Sequence, residues 1–214
     1  MTPAHKREPD DTGTVSHEHA LNRLLEGNSR YQAGTSCSKN PCPKTIDLES
    51  GQKPFAAFIR CADSRVAPEI VFDQPLGSLF VCGVAGNIPT LEIVASIEYA
   101  VLSLGTRLIV IMGHSSCGAV TAALEMDTEC IDLPGRLPEL LERIKPCTLG
   151  APQGSESILE HAIRRNAELG VDHLIAMSDV IAQMIESKEV QVIAGIEDLK
   201  SGIFSITKQA FHLD

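Results

Sequence analysis

Two cysteines and a histidine are the residues of this chain best suited to chemistry. Cys61 opens the run Cys61-Ala62-Asp63-Ser64-Arg65, and His114 and Cys117 bracket His114-Ser115-Ser116-Cys117. Two thiolates and one imidazole match the nitrogen and sulfur preference of Zn²⁺. Three protein ligands leave a fourth tetrahedral position for water, which separates a catalytic site from a closed structural one. Each group follows an apolar, β-favouring run, Phe55 to Ile59 for the first and Leu108 to Met112 for the second. Both are therefore placed at strand ends, where α/β sheets gather their ligands.

Each piece has a plainer explanation when taken alone. A free cysteine usually packs as a small hydrophobe, and a lone His-x-x-Cys is often only a turn. An Asp-x-Arg such as Asp63 and Arg65 is often an ordinary surface ion pair. Three soft ligands at one sheet edge are harder to explain that way, and beside zinc the Asp-Arg pair has a task. Two thiolates cancel the metal's formal charge, so outer groups must help to hold hydroxide. An ionised Asp63 accepting a hydrogen bond from zinc-bound hydroxide would orient it, and a bidentate Arg65 would keep that carboxylate charged and correctly turned. Without Arg65, Asp63 could instead become a fourth ligand and switch the site off.

The elements around these residues follow a parallel α/β order. Ser16 can cap a helix over 17–31, and residues 34–53, with Gly34, Pro41, Pro43 and Gly51, read as a long connection. After the first strand, Pro68 starts a short helix through Phe72, and residues 79–82 form a second strand. A helix over 90–104 ends at Gly105, a strand over 107–112 follows, and a further helix covers 119–126. The last third is expected to hold helices near 137–144, 155–169 and 173–187, then strands at 190–194 and 203–206. Right-handed crossovers bring consecutive parallel strand ends to one edge, so Cys61 and His114 can meet.

Composition narrows the function classes. At 214 residues the chain fits one domain, and its 43% hydrophobic and 21% charged residues are a globular balance. The domain is taken as 16–214, with 1–15 a flexible arm. Twenty-eight acidic residues against 18 basic ones, the latter scattered, argue against nucleic acid and anionic membranes as partners. No stretch has the apolar length of a transmembrane helix, and the opening residues lack a secretory apolar core, so a cytoplasmic location is expected. Seven cysteines without framework spacing point to reduced thiols and metal ligation, with a Cys37–Cys42 pair the weaker alternative.

The run Cys61-Ala-Asp-Ser-Arg65, followed by His114-Ser-Ser-Cys117-Gly118, resembles the β-class carbonic anhydrases. The resemblance covers nearly the whole chain through Gly27 to Tyr31, Gly51 to Phe55, Leu79-Phe80-Val81, Ala85-Gly86-Asn87, Ser96 to Ala100 and Asp198 to Gly202. It implies one Zn²⁺ per subunit on Cys61, His114 and Cys117, with Asp63 and Arg65 as the catalytic dyad. It also places Gln52, Phe80, Tyr99 and Gly118 at the substrate, Gln52 often acting across a dimer interface. The implied fold is a four-stranded parallel sheet extended by a C-terminal strand and flanked by helices, with the N-terminal helix packed on a partner subunit. Homodimers or homotetramers are expected, interconverting carbon dioxide and bicarbonate.

Two departures from the family pattern lie near the pocket. Arg60 stands where glycine or alanine is usual, and Cys82-Gly83-Val84 replaces a stretch that often carries arginine. Some bacterial members inhibit themselves with bicarbonate through a Trp at the position of Phe58 and an Arg at that of Gly83. This chain is expected to lack that switch. Other readings remain: hydrolysis of carbonyl sulfide or carbon disulfide on the same zinc site, a non-catalytic zinc-bearing regulatory subunit, or a metal-free cysteine nucleophile at Cys117. No histidine is marked as a proton shuttle; His161 and His173 are only candidates.

Overall fold

The computed structural model describes residues 14–37, 48–129, 133–150, 152, 154 and 156–210. The expected arm up to residue 13, and Cys42 with the rest of 38–47, lie outside the described residues. Five strands, β1 (Ala56–Cys61), β2 (Leu79–Val84), β3 (Leu108–His114), β4 (Gln191–Glu197) and β5 (Phe204–Ala210), form one sheet in the order β2-β1-β3-β4-β5. The first four are parallel, and β5 pairs antiparallel with β4. This is the expected parallel sheet with its C-terminal extension. Strands β1 and β3 are central and covered on both faces, so they read as unbroken apolar runs.

Seven α-helices flank the sheet among the described residues: α1 (His17–Gln32), α2 (Pro68–Val71), α3 (Leu91–Leu104), α4 (Gly118–Glu129), α5 (Leu137–Ile144), α6 (Ile158–Met177) and α7 (Asp179–Glu186). The caps anticipated at Ser16 and Gly105 form, and Thr90, expected as the first helical residue, is the N-cap instead. The Ser16 hydroxyl accepts from His19 N, Thr90 caps α3, and Gly105 closes it at φ 72°, a left-handed position that favours glycine. Ala20 and Leu24 of α1 bury against Phe55, Phe58 and Phe72 on one face of the sheet. On the other face Ile59, Ile109 and Ile111 pack against Val94 and Ile97 of α3 and Ala167 and Val171 of α6. Phe58, Ile59, Ile109 and Ile111 are fully buried, each worth roughly 1.5–3 kcal/mol of transfer free energy.

Two boundaries differ from expectation. Strand β1 ends at Cys61 as expected, whereas β3 runs past the expected 107–112 to end at His114, because Gly113 and His114 still pair with Ile196 and Glu197 of β4. The two helices expected over 155–169 and 173–187 meet at Ser178 instead of near Gly170. A Cβ on Gly170 would stand 2.8 Å from Ile111 Cγ2, so this glycine lets α6 press on β3 and does not stop the helix. Ser178 makes the break: its backbone is extended and its hydroxyl accepts from Ile181 N to start α7.

Candidate metal centre

Parallel pairing sets Cys61 at the C-terminal end of β1 and His114 at that of β3, in neighbouring strands. Ser116 then takes φ 57°, a left-handed turn that returns the chain so that Cys117 faces His114 just before α4. The loop is tied down from β4: Ser115 N donates to Glu197 O at 2.8 Å, and the Ser115 hydroxyl accepts from Leu199 N at 2.9 Å. The ligand atoms of Cys61, His114 and Cys117 consequently lie within 4.8 Å of one another. All three are buried, at 4%, 1% and 1% exposure, and the two cysteines belong to a third apolar cluster with Val66, Ile88, Val120 and Ile144.

The donors are arranged for a cation. His114 Nδ1 lies 3.0 Å from Ser115 O, a contact that in the Nδ1–H tautomer leaves the lone pair on Nε2, and that buried Nε2 has no hydrogen-bond partner. The two sulfurs are 3.9 Å apart. The hydrogen bond shared with Cys117, chiefly, with help from His114 and the Gly86 N–H, pulls Cys61 down against the effect of burial. The Cys117 thiol is correspondingly pushed up, by the same one-proton hydrogen bond with Cys61 and by burial. A divalent ion between them would displace that proton and ionise both sulfurs. The orphaned imidazole nitrogen and the paired sulfurs thus fit a zinc-like ion.

Asp63 and Arg65 form the expected pair. Arg65 Nε and Nη2 donate to the two carboxylate oxygens at 2.9 and 2.7 Å, and Arg65 N donates to Oδ1 at 3.0 Å. The guanidinium hydrogen bond holds the Asp63 carboxyl well below the usual carboxylate range. Asp63 Oδ2 stands 3.9 Å from His114 Nε2, so the ionised carboxylate flanks the metal group without being within it.

Comparison with known proteins fits this geometry. The carbonic anhydrase family profile matches residues 56–204. Carbonic anhydrase 2 of Mycobacterium tuberculosis is 37% identical over 187 residues, covering 86% of this chain and 89% of the relative. The chain belongs to the β-carbonic anhydrase family. Carbonic anhydrase of Mycolicibacterium smegmatis is 34% identical over 86% of this chain and 89% of the relative. Among solved structures, a tetrameric β-carbonic anhydrase of Sordaria macrospora superposes with TM-score 0.67 at 26% identity, covering 87% of this chain and 95% of that one. Members of this family are lyases.

The residues expected at the substrate divide into two groups. Gly118 follows Cys117 at the start of α4, exposed and with open space where a Cβ would be. Gln52 precedes β1 at its opposite end, and β1 rises about 17 Å from Ala56 to Cys61. The structure therefore does not bring exposed Gln52 to the ligands of its own chain. Phe80 pairs in register with Ala57, also far from Cys61, and its ring lies 6.3 Å from that of half-exposed Tyr99. Gln52, Phe80 and Tyr99 share the open β2 side of the molecule, not the metal group.

Several contacts of the site carry no sequence signal as such. Gly86 N donates to Cys61 Sγ at 3.3 Å, and Asn166 of α6 holds the Gly86 carbonyl at 2.7 Å. Glu197, in register with His114, is buried with one carboxylate oxygen unpartnered, and burial pushes its carboxyl up to about 7. Arg60 and Gly83, treated in the sequence as separate departures, are one feature. They are register partners, and a Cβ on Gly83 would stand 3.3 Å from Cζ and Nε of Arg60.

Proposed function

We propose that this protein catalyses the reversible hydration of carbon dioxide to bicarbonate and a proton, using one Zn²⁺ per subunit held by Cys61, His114 and Cys117. The observation that carries this reading is the convergence of three buried soft donors within 4.8 Å, with a carboxylate 3.9 Å from the imidazole nitrogen. Zinc bound there supplies Lewis acidity that brings a water's pKa to about 7, so that hydroxide is present at neutral pH.

The protein's own groups do the rest. Asp63, kept ionised by Arg65, accepts the hydrogen bond of the attacking hydroxide and aims its lone pair at the substrate carbon. Arg65 also reaches Ser116 O at 3.4 Å, linking the dyad to the turn between the two later ligands. The apolar cluster around Cys61 and Cys117 excludes bulk water from the ligands. Gln52, with Phe80 and Tyr99, acts from the partner of a homodimer, because its own chain places it at the far end of β1. Exposed Leu91, Tyr99 and Leu102 along α3, and Ile70 and Leu76 beside β2, supply apolar surface for such a dimer. No helix among the described residues is long and apolar enough to cross a membrane, and Cys37, Cys61, Cys82, Cys117 and Cys147 are free thiols. Both features suit a cytoplasmic location.

Stopped-flow hydration of carbon dioxide, run beside sulfide release from carbonyl sulfide on the same zinc-assayed protein, tests the reading. Rapid hydration with little sulfide release is expected. Sulfide release alone would transfer the site to the other substrate, and zinc-loaded protein inert to both would make it a regulatory subunit.

A further inference from the structure

Arg60 is the one charged residue within β1, and its contacts are with the backbone that carries the metal group. Its Nη1 donates to Cys61 O at 2.6 Å and lies 3.5 Å from Asp63 O. The same Asp63 carbonyl accepts from Val66 N at 3.3 Å, and Ala62 N donates to Val84 O at 3.0 Å. The segment from the first ligand to the dyad carboxylate is thus held at both ends by one guanidinium. Gly83 makes this possible: on the paired strand it leaves the space that the guanidinium fills, since a Cβ there would already crowd Arg60 at 3.3 Å. Arg60 Nε is buried without a hydrogen-bond partner. Leaving a guanidinium N–H in that state costs free energy, which the fold accepts in return for the two carbonyl contacts.

We propose that Arg60 is a positioning residue that clamps the Cys61–Asp63 turn, with Gly83 as its required empty neighbour. Asp63 has two places to go, toward Arg65 or toward the vertex that His114 and the cysteines leave open, and they differ mainly in the backbone between Cys61 and Arg65. Tying the carbonyls of Cys61 and Asp63 to a single planar group removes most of that freedom and holds the carboxylate on Arg65. Arg60 touches neither substrate nor metal. Its influence passes through Cys61 and Asp63. The consequence for turnover rests on the hydration reaction proposed above, whereas the clamp itself does not.

The experiment compares zinc-loaded wild-type protein with Arg60→Ala, Arg60→Lys and Gly83→Val. Hydrogen exchange is followed at the amides of Ala62, Arg65 and Val66, with zinc release to a chromogenic chelator and kcat and KM for hydration. Charge-assisted hydrogen bonds of this kind support an acceleration of about tenfold in local exchange and in zinc release for Arg60→Ala. Amides of β3 should be unchanged, kcat reduced about as much and KM little altered. Lysine can reach one carbonyl as a point charge and should recover part of the loss. Gly83→Val keeps the arginine but displaces it, and should reproduce the alanine pattern. Wild-type exchange at Ala62, Arg65 and Val66 in both Arg60→Ala and Gly83→Val would overturn the proposal even if hydration is confirmed. Exchange accelerated there in both variants, when even the wild-type protein has no hydration activity, would uphold the clamp and remove only the proposed reaction.

Discussion

Replacing Arg65 by alanine separates the two things the dyad does for Asp63. The carboxylate accepts three hydrogen bonds from residue 65, two from the guanidinium at 2.9 and 2.7 Å and one from the backbone N–H at 3.0 Å. Alanine removes the first two and keeps the third. The Asp63 carboxyl, held well below the usual range chiefly by the guanidinium, should then return toward about 4. At neutral pH it stays ionised, so what is lost is direction, not charge. Misplacing a catalytic group by about 1 Å can cost on the order of 100-fold, and kcat for hydration is expected to fall by about that factor. Arg65 contacts none of the three metal donors, so zinc content should remain that of wild type. Lysine, a point donor in place of a fork, should leave about a tenfold defect. Stopped-flow hydration across neutral and alkaline pH, with metal analysis, reads all of this. A kcat within about twofold of wild type would refute the positional role. So would a defect that disappears as pH rises, because that would make the guanidinium's charge the operative quantity.

Further expectations follow from the same geometry. Hydration should reappear when Gln52→Ala and His114→Ala subunits, each inactive alone, are mixed and re-associated, since one of the two sites then regains an intact metal group and an intact glutamine; no recovery would place Gln52 in the same subunit as the metal it serves. Asn166→Ala strips the Gly86 carbonyl of a buried 2.7 Å donor and is expected to cost roughly 1–3 kcal/mol in denaturant unfolding, with faster zinc loss. Gly170→Ala should destabilise by roughly 1–3 kcal/mol even though alanine favours helix, because its Cβ would press on Ile111. Chelation should lower the melting temperature reversibly, binding being worth ~2.7 kcal/mol when free Zn²⁺ is about a hundredfold above Kd.

The chemistry of the site was legible where residue type carries it. Cys61, His114 and Cys117 stand out as soft donors, and the apolar runs before them locate the strand ends that bring them together. The parallel order of β1 to β3 followed from the alternation of runs and helices, the fourth parallel strand and its extension came with the family resemblance, and the caps at Ser16 and Gly105 were readable from local chemistry. Contributions made by the backbone were not. The Gly86 N–H on Cys61 belongs to a glycine that the sequence marks as a turn and a family motif but not as a partner of Cys61, and the Asn166 that steadies it lies 80 residues away on α6. The helix expected over 155–169 runs on through Gly170 because that glycine's close approach to Ile111 exists only in the fold. Arg60 and Gly83 looked independent because strand register, not sequence, makes them neighbours. The separation of Gln52 from the metal group follows from the length of β1, which no motif expresses.

The most direct test of the whole account is isotope exchange of labelled oxygen between carbon dioxide and water, measured on protein whose zinc content has been assayed, with Cys61→Ser, His114→Ala and Cys117→Ser alongside. One zinc per chain, fast exchange in wild type and loss of both in each variant is the predicted outcome. Full exchange activity in stoichiometrically metal-free protein, or in the variants, would contradict it.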